Sequence, residues 1–122
     1  MPSPVSNHIG GVFVPVRDIE AARDWYCGIL GLEPGEVLFG HIYVLPMRDG
    51  SGLVLDSKGF ERPHDAKPVF HFMTKDIGAA YTYMRDTGVE LVGEIVDGVF
   101  FNFKDPDGNL LMVADVPLAP RS

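Results

Sequence analysis

The 122-residue chain has a single cysteine, Cys27. An intrachain disulfide is therefore impossible, as are a zinc ribbon and a CxxC redox site, which need at least two thiols. Basic residues are scarce beside acidic ones, 10 Lys and Arg against 17 Asp and Glu, for a net charge of −7. Proteins that neutralise phosphates carry a cationic surplus, so neither nucleic acid nor an anionic membrane surface is an expected partner. No run of about 18 apolar residues occurs, so no membrane-spanning helix is expected. The opening residues, Met1 to Asn7, lack the basic and apolar regions of a secretory signal, and the expected location is the cytoplasm. GxSxG, P-loop and dinucleotide-binding fingerprints are also missing.

What is present is ordinary for a globular protein: 46% apolar and 22% charged residues. The length suits one domain, 1–122, able to bury a core without a disulfide or structural metal. Fourteen glycines and ten prolines point to short strands and tight turns.

The chain repeats itself. Val16-Arg17-Asp18-Ile19-Glu20-Ala21-Ala22 returns 58 residues later as Thr74-Lys75-Asp76-Ile77-Gly78-Ala79-Ala80. Each copy runs into aromatic residues (Trp25-Tyr26; Tyr81 and Tyr83) and then a glycine turn, Leu30-Gly31-Leu32-Glu33 or Thr87-Gly88-Val89-Glu90. At the glycines the offset is 57. Gly52-Leu53-Val54-Leu55 likewise precedes Leu110-Leu111-Met112-Val113 by 58. Two copies are too few for a solenoid and fit two fused modules with pseudo-twofold symmetry.

Residues 11–16 and 69–74 are β-branched and aromatic, hence strands. Asp18 and Asp76 stand where N-caps belong, apolar residues follow at helical spacing, and Gly31 and Gly88 fall at the helix ends. Three further strands are expected in each half, near 36–39, 41–47 and 52–57, and near 91–96, 98–104 and 109–115. Asp105-Pro106-Asp107-Gly108 is a turn between the last two. The expectation is an α+β fold of two βαβββ modules, 8–57 and 68–116, joined by a polar linker, 58–67.

This pattern resembles the glyoxalase, bleomycin-resistance and extradiol-dioxygenase superfamily, the vicinal oxygen chelate group. The resemblance covers roughly residues 8–116. It rests on Val14, Val16, Asp18-Ile19 and Ala21 with Trp25-Tyr26 and Leu30-Gly31-Leu32, and on Phe103-Lys104-Asp105-Pro106-Asp107-Gly108-Asn109. It implies modules that together curl a mixed sheet around a ligand cavity, and a homodimer. It also implies a divalent metal held by the first and last strand of each half. Matched onto this chain, those positions are Gly11, Val54, Val69 and Met112, which agree with the repeat offset. None offers the imidazole or carboxylate that such an ion needs, so no metal is expected at the usual positions and no cofactor is expected. The implied function is that of the metal-free, drug-sequestering relatives: a small-molecule-binding protein.

If Val54 and Val69 line the cavity, strand alternation places Asp56 and His71 beside them. His41, Tyr43 and Leu45 share a face of another strand, and Asn102 faces opposite to Phe101 and Phe103. The alternative function is therefore a lyase- or isomerase-like enzyme in which His41, Asp56 and His71 form a displaced acid–base or divalent-metal site. The apolar lining expected around these groups is Phe13, Tyr43, Val54, Val69, Met73, Phe101, Phe103 and Met112. His8 and His64 are expected in solvent, and Trp25, Tyr26 and Cys27 in helix packing. With no basic stripe or peptide-binding motif, a purely interaction module is the weakest class.

Overall fold

A computed structural model describes residues 2–116. The chain divides into two compact units, Met1–Phe60 and Glu61–Ser122, each with one helix and one mixed sheet. Among the described residues no helix is long and apolar enough to cross a membrane.

In the first unit, β1 (Gly11–Pro15) leads into α1 (Ile19–Leu30), then β2 (Ile42–Pro46) and β3 (Gly52–Asp56). The order is β1-β3-β2, with β3 parallel to β1 and antiparallel to β2. The Asp18 carboxylate accepts the Ala21 N–H at 3.0 Å and so satisfies one of the orphan donors of the first turn. At the other end Gly31 takes φ 68°, and Leu32 N–H returns to the Cys27 carbonyl. That left-handed step is cheap only for a residue without Cβ. The helix buries Ile19, Ala22, Tyr26, Cys27 and Ile29 on the side of Val14, Val16, Tyr43, Leu45, Leu53 and Leu55.

The second unit repeats this plan with one more strand. Here β4 (His71–Met73), α2 (Ile77–Asp86), β5 (Glu90–Val96), β6 (Phe100–Lys104) and β7 (Leu110–Ala114) form a sheet ordered β4-β7-β6-β5. Asp76 caps α2 through Ala79 N–H at 3.0 Å, and Gly88, at φ 86°, ends it one residue earlier than the repeat alone requires. Val89 N–H to the Met84 carbonyl repeats the closing bond of α1. The buried layer is Met84, Phe101, Phe103, Leu111 and Val113, with the Tyr81 ring edge-on to Phe101 at 5.1 Å between centroids.

Two expectations about elements need correction. Residues 36–39 form no strand, so the first module is βαββ. Phe39 (φ 53°) and Gly40 (φ 74°) turn the chain back at once, and Leu38 makes only an isolated bridge to Ile42. The first strand of the second half starts at His71 rather than at 69, while Leu110 of the neighbouring β7 gives its N–H to the His64 carbonyl at 2.7 Å.

Candidate functional site on the open sheet faces

Each sheet has one face under its helix and one face turned away. In β1 and β3 the helix-side residues are Val14, Leu53 and Leu55, all buried. Alternation sends Gly11, Phe13, Pro15, Gly52, Val54 and Asp56 to the other face. Register aligns Phe13 with Val54, and Val54 with Val44 of β2, so three apolar side chains cross the sheet as one row. Phe13 is 62% exposed and Val44 41% exposed.

On the next rung Gly11 lies opposite Gly52, with Pro46 of β2 beyond, so its β1 and β3 positions are bare backbone. A Cβ on Gly52 would come within 2.9 Å of Val44 Cγ1, and one on Gly11 within 3.3 Å of Val54 Cγ2. The two glycines therefore let the row sit directly beside the main chain. On the opposite side the rung is Pro15, Asp56 and Ile42, where the only charge on these three rungs appears.

That charge has a partner. His41 Nδ1 lies 2.9 Å from Asp56 Oδ1, which also accepts the Lys58 N–H at 2.9 Å. The His41 bond and then the Lys58 backbone N–H hold the Asp56 carboxyl below the usual carboxylate range, against a smaller opposing effect of burial. His41 is itself fixed by its main chain, donating to Leu38 and accepting from Ser57.

The second unit carries the corresponding row with different chemistry. His71 aligns with Met112, Met112 with Asn102, and Asn102 with Val92. The repeat relates Phe13 to His71, Val54 to Met112 and Val44 to Asn102, so two apolar positions of the first unit are polar in the second. The His71 Nδ1 is 3.2 Å from the Phe72 carbonyl. The Asn102 side-chain oxygen is shut off from solvent and has no hydrogen-bond partner among the described residues. Met73, Ala114, Phe100 and Val96 make the next rung. Val69, outside β4, is 58% exposed.

Phe13, Val54, Asp56, His71, Met73 and Met112 thus lie on open faces. Tyr43, Phe101 and Phe103 do not. Tyr43 is 5% exposed on the helix side, its hydroxyl accepting the Gly35 N–H at 2.8 Å and lying 3.8 Å from Cys27 Sγ. Burial pushes its phenol upward, partly offset by the Gly35 hydrogen bond. The expectation tied the face of Tyr43 to that of His41, but His41 precedes β2 and belongs to the turn, where alternation does not apply. Phe101 and Phe103 are fully buried and form the layer beside α2. Val44 and Asn102 take the open-face positions instead. Alternation against buried Leu45 would have found Val44, and Asn102 was legible from its opposition to the two phenylalanines.

Among the described residues no group of three or more His, Cys, Asp or Glu is placed to hold a metal ion. At the four family positions the donor set fits no divalent ion either: Gly11 has no side chain, Val54 and Val69 have only hydrocarbon, and Met112 offers a thioether.

A duplicated α+β unit, one helix over one mixed sheet, defines the architectural class of this chain. Residues 6–113 match the model of the glyoxalase/bleomycin resistance protein/dioxygenase superfamily, and the chain belongs to that family. Among curated proteins none matches the sequence. Among solved structures, TnmS3, an antibiotic-binding protein from Streptomyces sp. CB03234, is 25% identical with a TM-score of 0.73, over 95% of this chain and 100% of that one. A glyoxalase/bleomycin resistance protein from Catenulispora acidiphila DSM 44928 is 27% identical, with a TM-score of 0.64 over 88% of this chain and 96% of that one. A superfamily member from Sphaerobacter thermophilus DSM 20745, at 22% identity and a TM-score of 0.71 over 91% and 98%, shares the fold.

Proposed function

We propose that the protein binds a small, largely apolar molecule on the open sheet faces, without a divalent metal. The carrying observation is the row Phe13–Val54–Val44, an aromatic ring and two aliphatic side chains held on a rigid sheet beside bare backbone. Apolar side chains lined up on an uncovered face lose nothing for folding when a ligand covers them, and burying each gains about 1.5–3 kcal/mol. Taken by itself, the open face of the second unit carries His71 and Asn102, polar groups of the kind that orient a ligand in an apolar site. The likeness to an antibiotic-binding protein supports the same class of function.

Metal analysis of protein purified without chelator tests the metal-free part. The expected result is no stoichiometric divalent ion. A stoichiometric ion that disappears in His71→Ala would overturn it. The ligand-binding part is tested by fluorescence titration with 2-methoxynaphthalene, an apolar ring probe. Saturable binding to the wild type that Phe13→Ala weakens about tenfold is the expected outcome, the loss of roughly one buried ring contact. Binding indifferent to Phe13 contradicts the assignment to this face.

A further inference from the structure

The open face of the first unit ends in a pair whose chemistry an apolar ligand alone does not use. Asp56 sits on that face two residues beyond Val54, and its carboxylate receives the Nδ1 side of His41 at 2.9 Å. Three bonds fix the arrangement from outside. Lys58 N–H anchors the carboxylate at 2.9 Å, Ser57 N–H anchors the His41 carbonyl at 3.0 Å, and His41 N–H reaches Leu38 at 3.2 Å. The two side chains keep 27% and 33% of their surface exposed, so the pair is neither sealed in the core nor free in solution.

A carboxylate that takes a hydrogen bond from Nδ1 fixes the neutral imidazole as the Nδ1–H tautomer. The lone pair is then on Nε2, for which no hydrogen-bond partner occurs among the described residues. A held acceptor beside an apolar row suits a ligand with a complementary donor. We propose that His41 Nε2 accepts a hydrogen bond from a hydroxyl of the bound molecule, with Asp56 as the positioning residue. The ligand class is then a hydroxylated aromatic compound: its ring covers Phe13, Val54 and Val44, and its O–H points to the Asp56 end of the row. This specificity rests on the binding function proposed above. A neutral O–H finds the better acceptor here because its donor is strengthened by attachment to an aromatic ring, whereas an ether or bare ring leaves Nε2 unpaired.

The experiment compares 2-naphthol with 2-methoxynaphthalene, which share the ring and its oxygen but in which the O–H donor of the first is replaced by O–CH3. Binding to wild type, His41→Phe and Phe13→Ala is followed by fluorescence, and the His41 ring nitrogens by 15N NMR. For the wild type, 2-naphthol is expected to bind about tenfold more tightly, the size of one well-placed hydrogen bond. The Nε2 resonance of the neutral ring should be that of an unprotonated nitrogen before addition and move on adding 2-naphthol, but not on adding the ether. His41→Phe keeps a ring of similar shape without an acceptor. It is expected to abolish the tenfold preference while leaving ether binding within about twofold. Equal binding of the two probes to the wild type, or a preference that survives in His41→Phe, overturns the role of His41 and leaves the apolar binding face standing. Failure of both probes to bind overturns both.

Discussion

Asp56 and His41 show how much one residue's environment decides. The carboxyl of Asp56 titrates below its usual range because the folded chain supplies His41 and the Lys58 N–H. A group depressed in this way stabilises the fold above its unfolded value, near pH 3.9, and that contribution is lost as pH falls through the lower folded value. Asp56→Ala should therefore unfold more readily than the wild type at pH 6–7, by at most about 1 kcal/mol given the solvent screening of the pair. In paired urea titrations across pH 2–7 the difference should shrink below about pH 4. A difference that stays constant down to pH 2 would show that the pair contributes through something other than charge. Asn109 is the contrasting case, a polar side chain 1% exposed. Its Nδ2 donates to Asp105 Oδ2 at 2.8 Å, and its Oδ1 accepts the His64 N–H at 2.8 Å. Asn109→Ala strips both partners at once, and chemical denaturation should show a loss of about 2–4 kcal/mol. These two residues also divide what was legible. Asp105-Pro106-Asp107-Gly108-Asn109 could be read as a turn from its residue types, but nothing in the sequence joined it to His64, 45 positions away along the chain. The pairing of His41 with Asp56 was within reach of sequence reasoning because strand alternation put Asp56 on the open face. The same alternation put His71 on the open face of β4.

At the scale of elements, local signals were strong where they are chemically required and weak where geometry is decided by a turn. Asp18, Gly31, Asp76 and Gly88 announced both helices because each satisfies a terminus that the backbone cannot satisfy alone. The missing strand at 36–39 had residues compatible with a strand, and the chain reverses there by placing Phe39 at φ 53°. A large L-residue is strained in that region, and Phe39 is 84% exposed, so burial returns little of the cost. Phe39→Gly should accordingly raise stability by about 1 kcal/mol, net of the extra freedom glycine gains when unfolded. Thermal unfolding would show it as an upward shift of a few degrees. A lower melting temperature would mean that the Phe39 ring contributes packing in the folded chain greater than its strain. The face assignment of β2 failed for the same local reason: the turn before Ile42 resets the alternation, so His41 tells nothing about Tyr43.

Across the whole molecule, duplication explains both what is shared and what is specialised. The 58-residue offset carries β2 and β3 onto β6 and β7 residue for residue, and the N-caps of both helices follow it, while the closing glycines are 57 apart. The helix-side layers are apolar in both copies, whereas the outer rows differ, Phe13–Val54–Val44 in one and His71–Met112–Asn102 in the other. The fold was legible because repetition and capping are matters of residue type and spacing. The site was less so, because which face of a strand is left open depends on packing that no single strand encodes. The family's four metal positions, by contrast, could be judged from residue identity alone, since glycine, valine and methionine cannot act as oxygen or imidazole ligands. The most direct test of metal-independent binding on the outer row is a 15N–1H NMR titration with 2-methoxynaphthalene in the presence of a chelator. Saturable shifts centred on Phe13, Val44 and Val54 are expected, unchanged when the chelator is replaced by excess divalent cation. Shifts that appear only after a cation is added, or that leave these three residues untouched, would contradict it.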